Sequence, residues 1–219
     1  SEIKSTDNVL ILSPHPDDDV IGMGAILQAL PNKQNVKIAY MTSGENGVNH
    51  ENKFIRETEA ISSLKTLGYN KADISFLKLP FYYDKTCTNY DKDIELLSAY
   101  LNQISPRHIF ICSDRDPNGT HEKCFNIIKS TLTSKNKNIN ELPDYKLWAY
   151  KGAWGQIDYS PNTYFFPYDD MKLDKKIVAI QLHLSQFPAK FPGNTDVPFD
   201  ERIKINNKSD LFPLQYEER

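Results

Sequence analysis

The stretch VLILSPHPDDDVIGMG, residues 9–24, constrains the fold of this chain more than any other part of the sequence. Its first four residues are apolar and are typical of a short buried strand, whereas the apolar spacing from Val20 onward indicates a helix. His15 and three consecutive aspartates, residues 17–19, lie on the turn between them. Open α/β sheets bind ligands at such turns, at the carboxyl ends of their strands. The sequence therefore predicts an α/β fold with a functional site on this turn.

The residue types on this turn favour a divalent metal. A neutral imidazole and a carboxylate are ligands that zinc accepts. His15 and Asp18 are three residues apart, and the fixed backbone angle of Pro16 between them allows both side chains to face one space. Asp17 would then lie beside the metal and could take a proton from a metal-bound water. The alternative is that the aspartates only cap the helix, but three acids exceed what a cap needs, and a cap does not explain His15.

The sequence His-Pro-Asp-Asp at residues 15–18, after an apolar strand, resembles the signature of the PIG-L/LmbE-type N-acetyl sugar deacetylases. The resemblance extends over about residues 8–190. It implies a Rossmann-like three-layer sandwich with a mostly parallel central sheet and a site at the carboxyl ends of the strands. It also implies a metal-dependent amidohydrolase that removes the N-acetyl group from an N-acetylglucosamine-type amino sugar and releases acetate. Zn²⁺ is the expected cofactor, and Fe²⁺ suits the same ligands.

A second histidine follows another predicted strand, residues 108–112. His121 comes after a polar loop, residues 113–120, and directly before a predicted helix. Strand–loop–helix units of a doubly wound sheet bring such loops together around one crevice. We therefore expect His121 to join His15 and Asp18 in a two-histidine, one-carboxylate metal site with open positions. Cys124, on the same predicted helix, is a weaker ligand candidate.

The motif around His121 departs from the family pattern. Family members usually carry H-P-D-H here, and their second histidine binds the metal, whereas this chain has N-G-T-H at residues 118–121. Asn118 thus replaces the family's other histidine. An amide can donate a hydrogen bond to an oxyanion, which is the catalytic role expected of Asn118, but it cannot act as a general acid near neutral pH. Three residues remain open as substitutes for the missing imidazole: His50, Asp116 and His183.

Two further motifs support the resemblance. Arg56 and Glu59 match an R-x-x-E pair whose arginine faces the substrate pocket in the family, although the residues alone are also typical of an ordinary surface pair. The resemblance implies that Arg56 binds a substrate hydroxyl or phosphate and that Glu59 is structural. The segment 183–186, His-Leu-Ser-Gln, matches the family's H-x-S/T-Q and lies at the end of a helix predicted after Met171, whose apolar stripe runs to Phe187 and predicts packing in the core.

The D-P-N-G-T-H form of the second loop also resembles one subgroup of the family. In that subgroup the deacetylase-like domain is fused behind a glucosamine-6-phosphate deaminase-like domain. Because this chain begins at Ser1 rather than at a methionine, we expect a processed protein or a domain excised from a longer chain. The resemblance implies fusion to, or association with, an amino-sugar metabolic domain, and the oligomeric state stays open.

Composition narrows the remaining classes. With 219 residues, 39% hydrophobic and 25% charged, the chain suits one soluble domain, residues 1–219, with a core at about 8–190 and an irregular tail from Pro188. A net charge of −3 with scattered lysines gives no reason to expect nucleic-acid binding. No apolar run approaches membrane-spanning length. Three cysteines without a CxxC motif favour a reducing compartment, the cytoplasm.

Other functions remain open at this stage. One is a binding module that keeps the metal and the sugar pocket but, with Asn118 in place of histidine, does not turn over. Another is a metal-dependent hydrolase that acts on a different bond, such as a phosphoester. A nucleotide-binding Rossmann domain is disfavoured, because Gly22 and Gly24 lie too far into the helix to contact a pyrophosphate. The expected partner is a small amino sugar or sugar conjugate, and free sugar, sugar phosphate, oligosaccharide and inositol conjugate all carry the same acetamide.

Overall fold

The computed structural model describes residues 3–45, 52–84, 86, 89–113, 118–133, 142, 144–152, 163–186 and 209–215. Strands and helices alternate along most of this length. Their bounds are β1 (Val9–Ser13), α1 (Asp18–Ala29), β2 (Val36–Tyr40), α2 (Asn52–Thr66), β3 (Ile74–Phe76), α3 (Asp91–Ile104), β4 (His108–Cys112), α4 (Gly119–Leu132), β5 (Lys146–Tyr150), β6 (Thr163–Pro167), α5 (Asp170–Gln181) and β7 (Ser209–Gln215). Single 3₁₀ turns cover Lys33–Asn35, Lys71–Asp73, Pro80–Tyr82 and Leu184–Gln186.

The strands form a sheet in the order β3-β2-β1-β4-β5-β7-β6. The first five pair in parallel, and β7 and β6 add an antiparallel edge. The strand order reverses at β1, which pairs with β2 on one side and with β4 on the other. This reversal is the switch point at which doubly wound sheets open a ligand crevice. The loops that follow β1 and β4 are therefore brought side by side.

The sheet is buried on both faces, which is why β1 is apolar throughout. Val9 and Ile11 lie in the apolar cluster that includes residues of α1, α2 and α5. Leu10 and Leu12 point to the opposite face and lie in the cluster that includes residues of α3 and α4. Side chains of a strand alternate between faces, so a strand between two helical layers must be apolar at every position. The predicted Rossmann-like three-layer sandwich is confirmed.

The two glycines of α1 serve close packing. A Cβ atom on Gly22 would lie 2.6 Å from the carbonyl oxygen of Lys151, and one on Gly24 would lie 2.6 Å from Cγ of Lys176. Helix α1 can therefore approach the end of β5 and the buried side-chain stem of Lys176 in α5 only with glycine at these positions. This packing accounts for both glycines within the helix.

The expectation of an irregular tail is wrong at residues 209–215, which form β7 between β5 and β6. Pro213 lies within this strand, opposite Thr163, and a proline normally argues against an inner strand. The partner strands, distant in sequence, specify β7 rather than any local pattern. Within the described residues, no helix combines the length and apolar character needed to cross a membrane.

Candidate active site

The predicted metal ligands meet at the switch point of the sheet. His15 follows β1, Asp18 is the first residue of α1, and His121 lies in the first turn of α4. Because β1 and β4 are paired in register from Val9 opposite His108, the two loops leave the sheet at the same level. The sheet order thus joins residues that are more than a hundred positions apart in the chain.

The three ligand atoms form a small triangle. His15 Nδ1 lies 3.3 Å from Asp18 Oδ2, His121 Nε2 lies 3.0 Å from the same oxygen, and the two nitrogens are 3.0 Å apart. Bonds of about 2.0–2.2 Å to a tetrahedral zinc ion place its ligand atoms roughly 3.3 Å apart. Two imidazole nitrogens and one carboxylate oxygen at these separations therefore fit a single divalent ion.

Charge and burial prepare these groups for a metal. Burial opposes ionisation of Asp18, but the charge of His121 and hydrogen bonds from both histidines outweigh it and hold the pKa of Asp18 well below its usual range. Burial lowers the pKa of His15 and so favours its neutral form, the form that binds metals. The second ring nitrogen of His121 lies 3.6 Å from Cys112 Sγ, a contact that helps to fix the ring orientation.

Cys124 does not belong to the cluster within the described residues, which consists of His15, Asp18 and His121. Cys124 is buried on α4, and burial raises the pKa of its thiol. A thiol that stays protonated is a poor metal ligand. Cys112 and Cys124 are both free of disulfide bonds.

Asp17 stands beside the cluster in a strained conformation. Its φ of 141° is rarely adopted by a residue with a side chain, and such strain is concentrated at functional sites. Its carboxylate makes no capping hydrogen bond to α1, so capping does not explain this residue. Burial raises the pKa of Asp17 to about 8, opposed by the charge of Arg56 and reinforced by Asp18 and Asp19.

The third aspartate has a different partner. Asp19 is fully buried and accepts a hydrogen bond of 2.9 Å from the hydroxyl of Tyr40, at the end of β2. Burial raises the pKa of Asp19 to about 7, partly offset by the bond from Tyr40. Asp19 thus joins the start of α1 to the neighbouring strand, and it is not a member of the metal cluster.

Arg56 is buried inside the site, so of its two interpretations the ordinary surface residue is the wrong one. Only 5% of its area is exposed. Its Nη2 donates to Asp17 Oδ2 at 3.1 Å and to the carbonyl of Pro16 at 2.9 Å. Its Nη1 donates to the carbonyl of Gly44 at 2.8 Å. Arg56 therefore joins the loop after β2 to the loop that carries the aspartates.

Gly44 contacts Arg56 in the candidate site, and the sequence pattern did not single it out individually. Its φ is 68°, and a Cβ atom at this position would overlap the guanidinium of Arg56. Both the backbone angle and the space therefore require glycine. The available signal was its place in a loop directly after β2, where glycine allows a close approach of the backbone, and the group that approaches is Arg56.

Asn118 is the N-cap of α4. Its side-chain oxygen accepts a hydrogen bond of 2.9 Å from the backbone N–H of Thr120, and asparagine is among the best residues for this position. The cap fixes the side chain three residues before His121, a candidate metal ligand. Two other candidates for the missing imidazole, His50 and Asp116, lie outside the described residues.

His183 lies in the interior next to the site. It is fully buried, and neither of its ring nitrogens has a hydrogen-bond partner among the described residues. Burial lowers its pKa to about 3, reinforced by the positive charge of Arg56 and opposed by Asp18. His108, at the other end of β4, contacts Asp7 and accepts a hydrogen bond from Trp148 Nε1, so it is structural.

Comparison with known protein families gives one match over more than half of the chain. A family model described as GlcNAc-PI de-N-acetylase matches residues 10–132. A glucosamine-6-phosphate deaminase-like protein of Bacteroides thetaiotaomicron is 29% identical over 258 aligned positions. The alignment covers 91% of this chain but 39% of that protein. The chain therefore spans well under half the length of this relative.

Solved structures share the fold over nearly the whole chain. The N,N'-diacetylchitobiose deacetylase of Pyrococcus horikoshii, in complex with an inhibitor, is 25% identical with a TM-score of 0.70, covering 94% of this chain and 83% of that one. The zinc-inhibited form of a teicoplanin deacetylase is 13% identical with a TM-score of 0.67, covering 94% and 97%. At 13% identity this second likeness shows the fold alone.

The ligand triangle predicts the effect of removing one ligand. We expect His121→Ala to weaken zinc binding by more than about 100-fold, since loss of a second-shell partner alone costs 10- to 100-fold. Cys124→Ala, on the same helix and equally buried, is the matched control and should leave zinc affinity unchanged. Competition with a chromophoric chelator measures both. Equal zinc affinity in His121→Ala and wild type would remove His121 from the site.

Because His183 is buried in its neutral form, we expect the free energy of unfolding to decrease in acid. Its folded pKa of about 3 lies below the value of about 6.5 in an unfolded chain. As the pH falls below about 6.5, the unfolded chain binds a proton that the folded chain does not, so the free energy of unfolding decreases towards pH 3.

His183→Leu removes this titration, and its free energy of unfolding should therefore fall less steeply with decreasing pH, by up to about 1.4 kcal/mol per pH unit. Urea denaturation between pH 6.5 and 4, with chelator present to exclude metal release, measures the slope. Parallel slopes for the variant and wild type would contradict the prediction.

Proposed function

The chain belongs to the PIG-L family, whose model is described as GlcNAc-PI de-N-acetylase, and we propose that it removes the N-acetyl group from an N-acetylglucosamine-type amino sugar and releases acetate. One observation carries the proposal: a buried, arginine-held carboxylate, Asp17, adjoins a cluster of two histidines and one aspartate. The fold is shared with a diacetylchitobiose deacetylase at 25% identity. The likeness and the site chemistry agree on amide hydrolysis.

His15, Asp18 and His121 would hold the metal, and Zn²⁺ is the ion proposed. A zinc ion in such a site supplies a Lewis acid that polarises a carbonyl and lowers the pKa of water. The chain's own contribution is to favour the neutral form of His15 and to keep Asp18 ionised, the forms in which these two donors bind a metal. Fe²⁺ accepts the same donors, and metal analysis of the purified protein distinguishes the two.

Asp17 is proposed as the general base. Its carboxylate would take a proton from the attacking water and later return it to the leaving amine. Arg56 holds Oδ2 of this carboxylate, which restricts it to one orientation. When the base has a fixed position, the proton has only a short distance to move once the reactants are bound.

Asn118 is proposed to stabilise the oxyanion through its amide N–H. Its side-chain oxygen is committed to the N-cap of α4, so the amide is oriented by the helix. As the family resemblance implies, we propose that a substrate hydroxyl or phosphate is bound near the guanidinium of Arg56.

The proposed cellular setting is based on the free cysteines and on the deaminase-like relative. Two free cysteines among the described residues are in keeping with a reducing compartment, and we propose the cytoplasm. The partial match to a deaminase-like relative supports association with a second amino-sugar enzyme domain. Such an arrangement would pass the free amine to an enzyme that acts on amino sugars.

Acetate release tests the proposed function. Metal-loaded wild type is assayed against free N-acetylglucosamine, its 6-phosphate, N,N'-diacetylchitobiose and an inositol conjugate. Asp17→Asn should retain zinc and lower kcat by about 10²- to 10⁴-fold, because proton transfer is lost. Asp170→Asn, an exposed aspartate in the first turn of α5, is the matched control. Zinc binding without acetate from any compound would favour a binding module or a different bond.

The double role of Asn118 can be separated by substitution. Asn118→Ser keeps an N-cap oxygen but removes the amide, so stability should hold while kcat falls about 100-fold, the typical cost of one oxyanion donor. Asn118→Ala should lose both activity and about 1 kcal/mol of stability. Thermal unfolding and initial rates measure the two effects. Full activity in Asn118→Ser would exclude the amide from catalysis.

A further inference from the structure

Glu59 and Ser185 join α2 to the turn that follows α5. Glu59 Oε1 accepts a hydrogen bond of 2.7 Å from the backbone N–H of Ser185, and Oε2 accepts one of 2.6 Å from its hydroxyl. Both oxygens of the carboxylate are therefore used by one residue, 126 positions away. A two-point contact of this kind fixes orientation as well as distance.

The turn that carries Ser185 is itself closed. The amide of Gln186 donates to the Ser185 hydroxyl at 3.0 Å, and its backbone N–H donates to the carbonyl of His183 at 2.9 Å. His183 is fully buried, which anchors the turn to the interior. Glu59 thus contacts a turn that is closed by its own hydrogen bonds and begins at a buried residue.

Glu59 lies three residues after Arg56 on the same helix, so the two side chains extend from one face. A contact that fixes the rotation of α2 at Glu59 also fixes the place from which Arg56 reaches the site. Arg56 then holds the carbonyls of Gly44 and Pro16 and the carboxylate of Asp17. Asp17 is strained, with a φ of 141°, and depends on such contacts to keep its conformation.

We infer that Glu59 and Ser185 are positioning residues for the reaction, which hold α2 so that Arg56 keeps the Asp17 carboxylate in its reactive place. The inference rests on the proposed function. It connects the R-x-x-E and H-x-S-Q segments through one set of contacts, which positions the general base Asp17. The metal ligands are outside it, because neither Glu59 nor Ser185 contacts His15, Asp18 or His121 in the described structure.

The neighbouring residue offers a matched control. Glu57, on the same turn of α2, forms an ion pair of 3.2 Å with Lys78 Nζ, without the angles of a hydrogen bond. This contact tethers α2 to the segment after β3 and not to the end of α5. Glu57→Gln and Glu59→Gln are the same chemical change, two residues apart, on different tethers.

The test compares Ser185→Ala, Glu59→Gln, Ser185→Thr and Glu57→Gln in the metal-loaded protein, at a temperature at which all are folded. Ser185→Ala and Glu59→Gln should lower kcat about 10-fold or more, with KM and zinc affinity changed less than about twofold. Ser185→Thr keeps the hydroxyl and should restore the rate, and Glu57→Gln should match wild type. The double variant should be no slower than either single one, because the pair acts as a unit.

A double-mutant cycle between Ser185 and the general base Asp17 distinguishes a positioning role from a purely stabilising one. In an Asp17→Asn background, Ser185→Ala should cause no further loss of the residual rate. An equal loss in both backgrounds, or a lower melting temperature with unchanged kcat, would overturn the inference. A parallel loss of zinc affinity would also overturn it, because the pair would then shape the ligands.

A readout that needs no turnover separates this inference from the proposed function. The guanidinium protons of Arg56, observed by nitrogen-15 NMR, should exchange slowly in wild type and in Glu57→Gln, and faster in Ser185→Ala. If no acetate is released by any form, the proposed function fails while this measurement still reports on the tether. Equal exchange in all forms would show that Ser185 does not hold Arg56.

Discussion

The structure of the site depends on the burial of the Asp18 carboxylate between two imidazoles. A buried carboxylate is tolerated only where its charge is compensated and its oxygens are bonded. Here the compensation comes from His15, on the same loop, and from His121, which the sheet order delivers from the next parallel unit. One oxygen contacts both rings, so the loops after β1 and β4 are held together at the carboxylate.

Two more carboxylates, Asp17 and Asp19, flank Asp18 in the sequence, and each has its own partner. Asp17 contacts the guanidinium of Arg56, and Asp19 accepts from the hydroxyl of Tyr40. Three consecutive acids would repel each other if they shared one environment. The residue with the strained backbone, Asp17, is also the one whose carboxylate contacts Arg56. Division of the three acids among a metal cluster, a cation and a hydroxyl explains why the sequence can carry all of them.

The features that could be predicted from the sequence are those that a local residue pattern determines. The strand, the turn and the helix start around His15 are encoded within a few residues, and the placement of His121 beside His15 and Asp18 followed from the general geometry of parallel sheets. Arg56 was open to misinterpretation because the spacing of apolar residues in α2 says nothing about contacts at the helix start. The contact between Glu59 and Ser185 joins positions 126 residues apart, and β7 contains Pro213. Neither leaves a periodic signal, since both are specified by the assembled sheet and its helices.

Because Asn118 stands where the family pattern has a histidine, the proposed mechanism assigns both proton transfers to Asp17. An asparagine can cap α4 and donate one hydrogen bond, but it cannot carry a proton. On the proposed mechanism the carboxylate of Asp17 must then serve both the attacking water and the leaving amine. A group with two tasks tolerates less displacement than a group with one, because each transfer needs its own short distance. The contacts that hold Asp17 in a strained conformation, from Gly44 through Arg56 to the end of α5, are therefore where this chain would compensate for the missing imidazole.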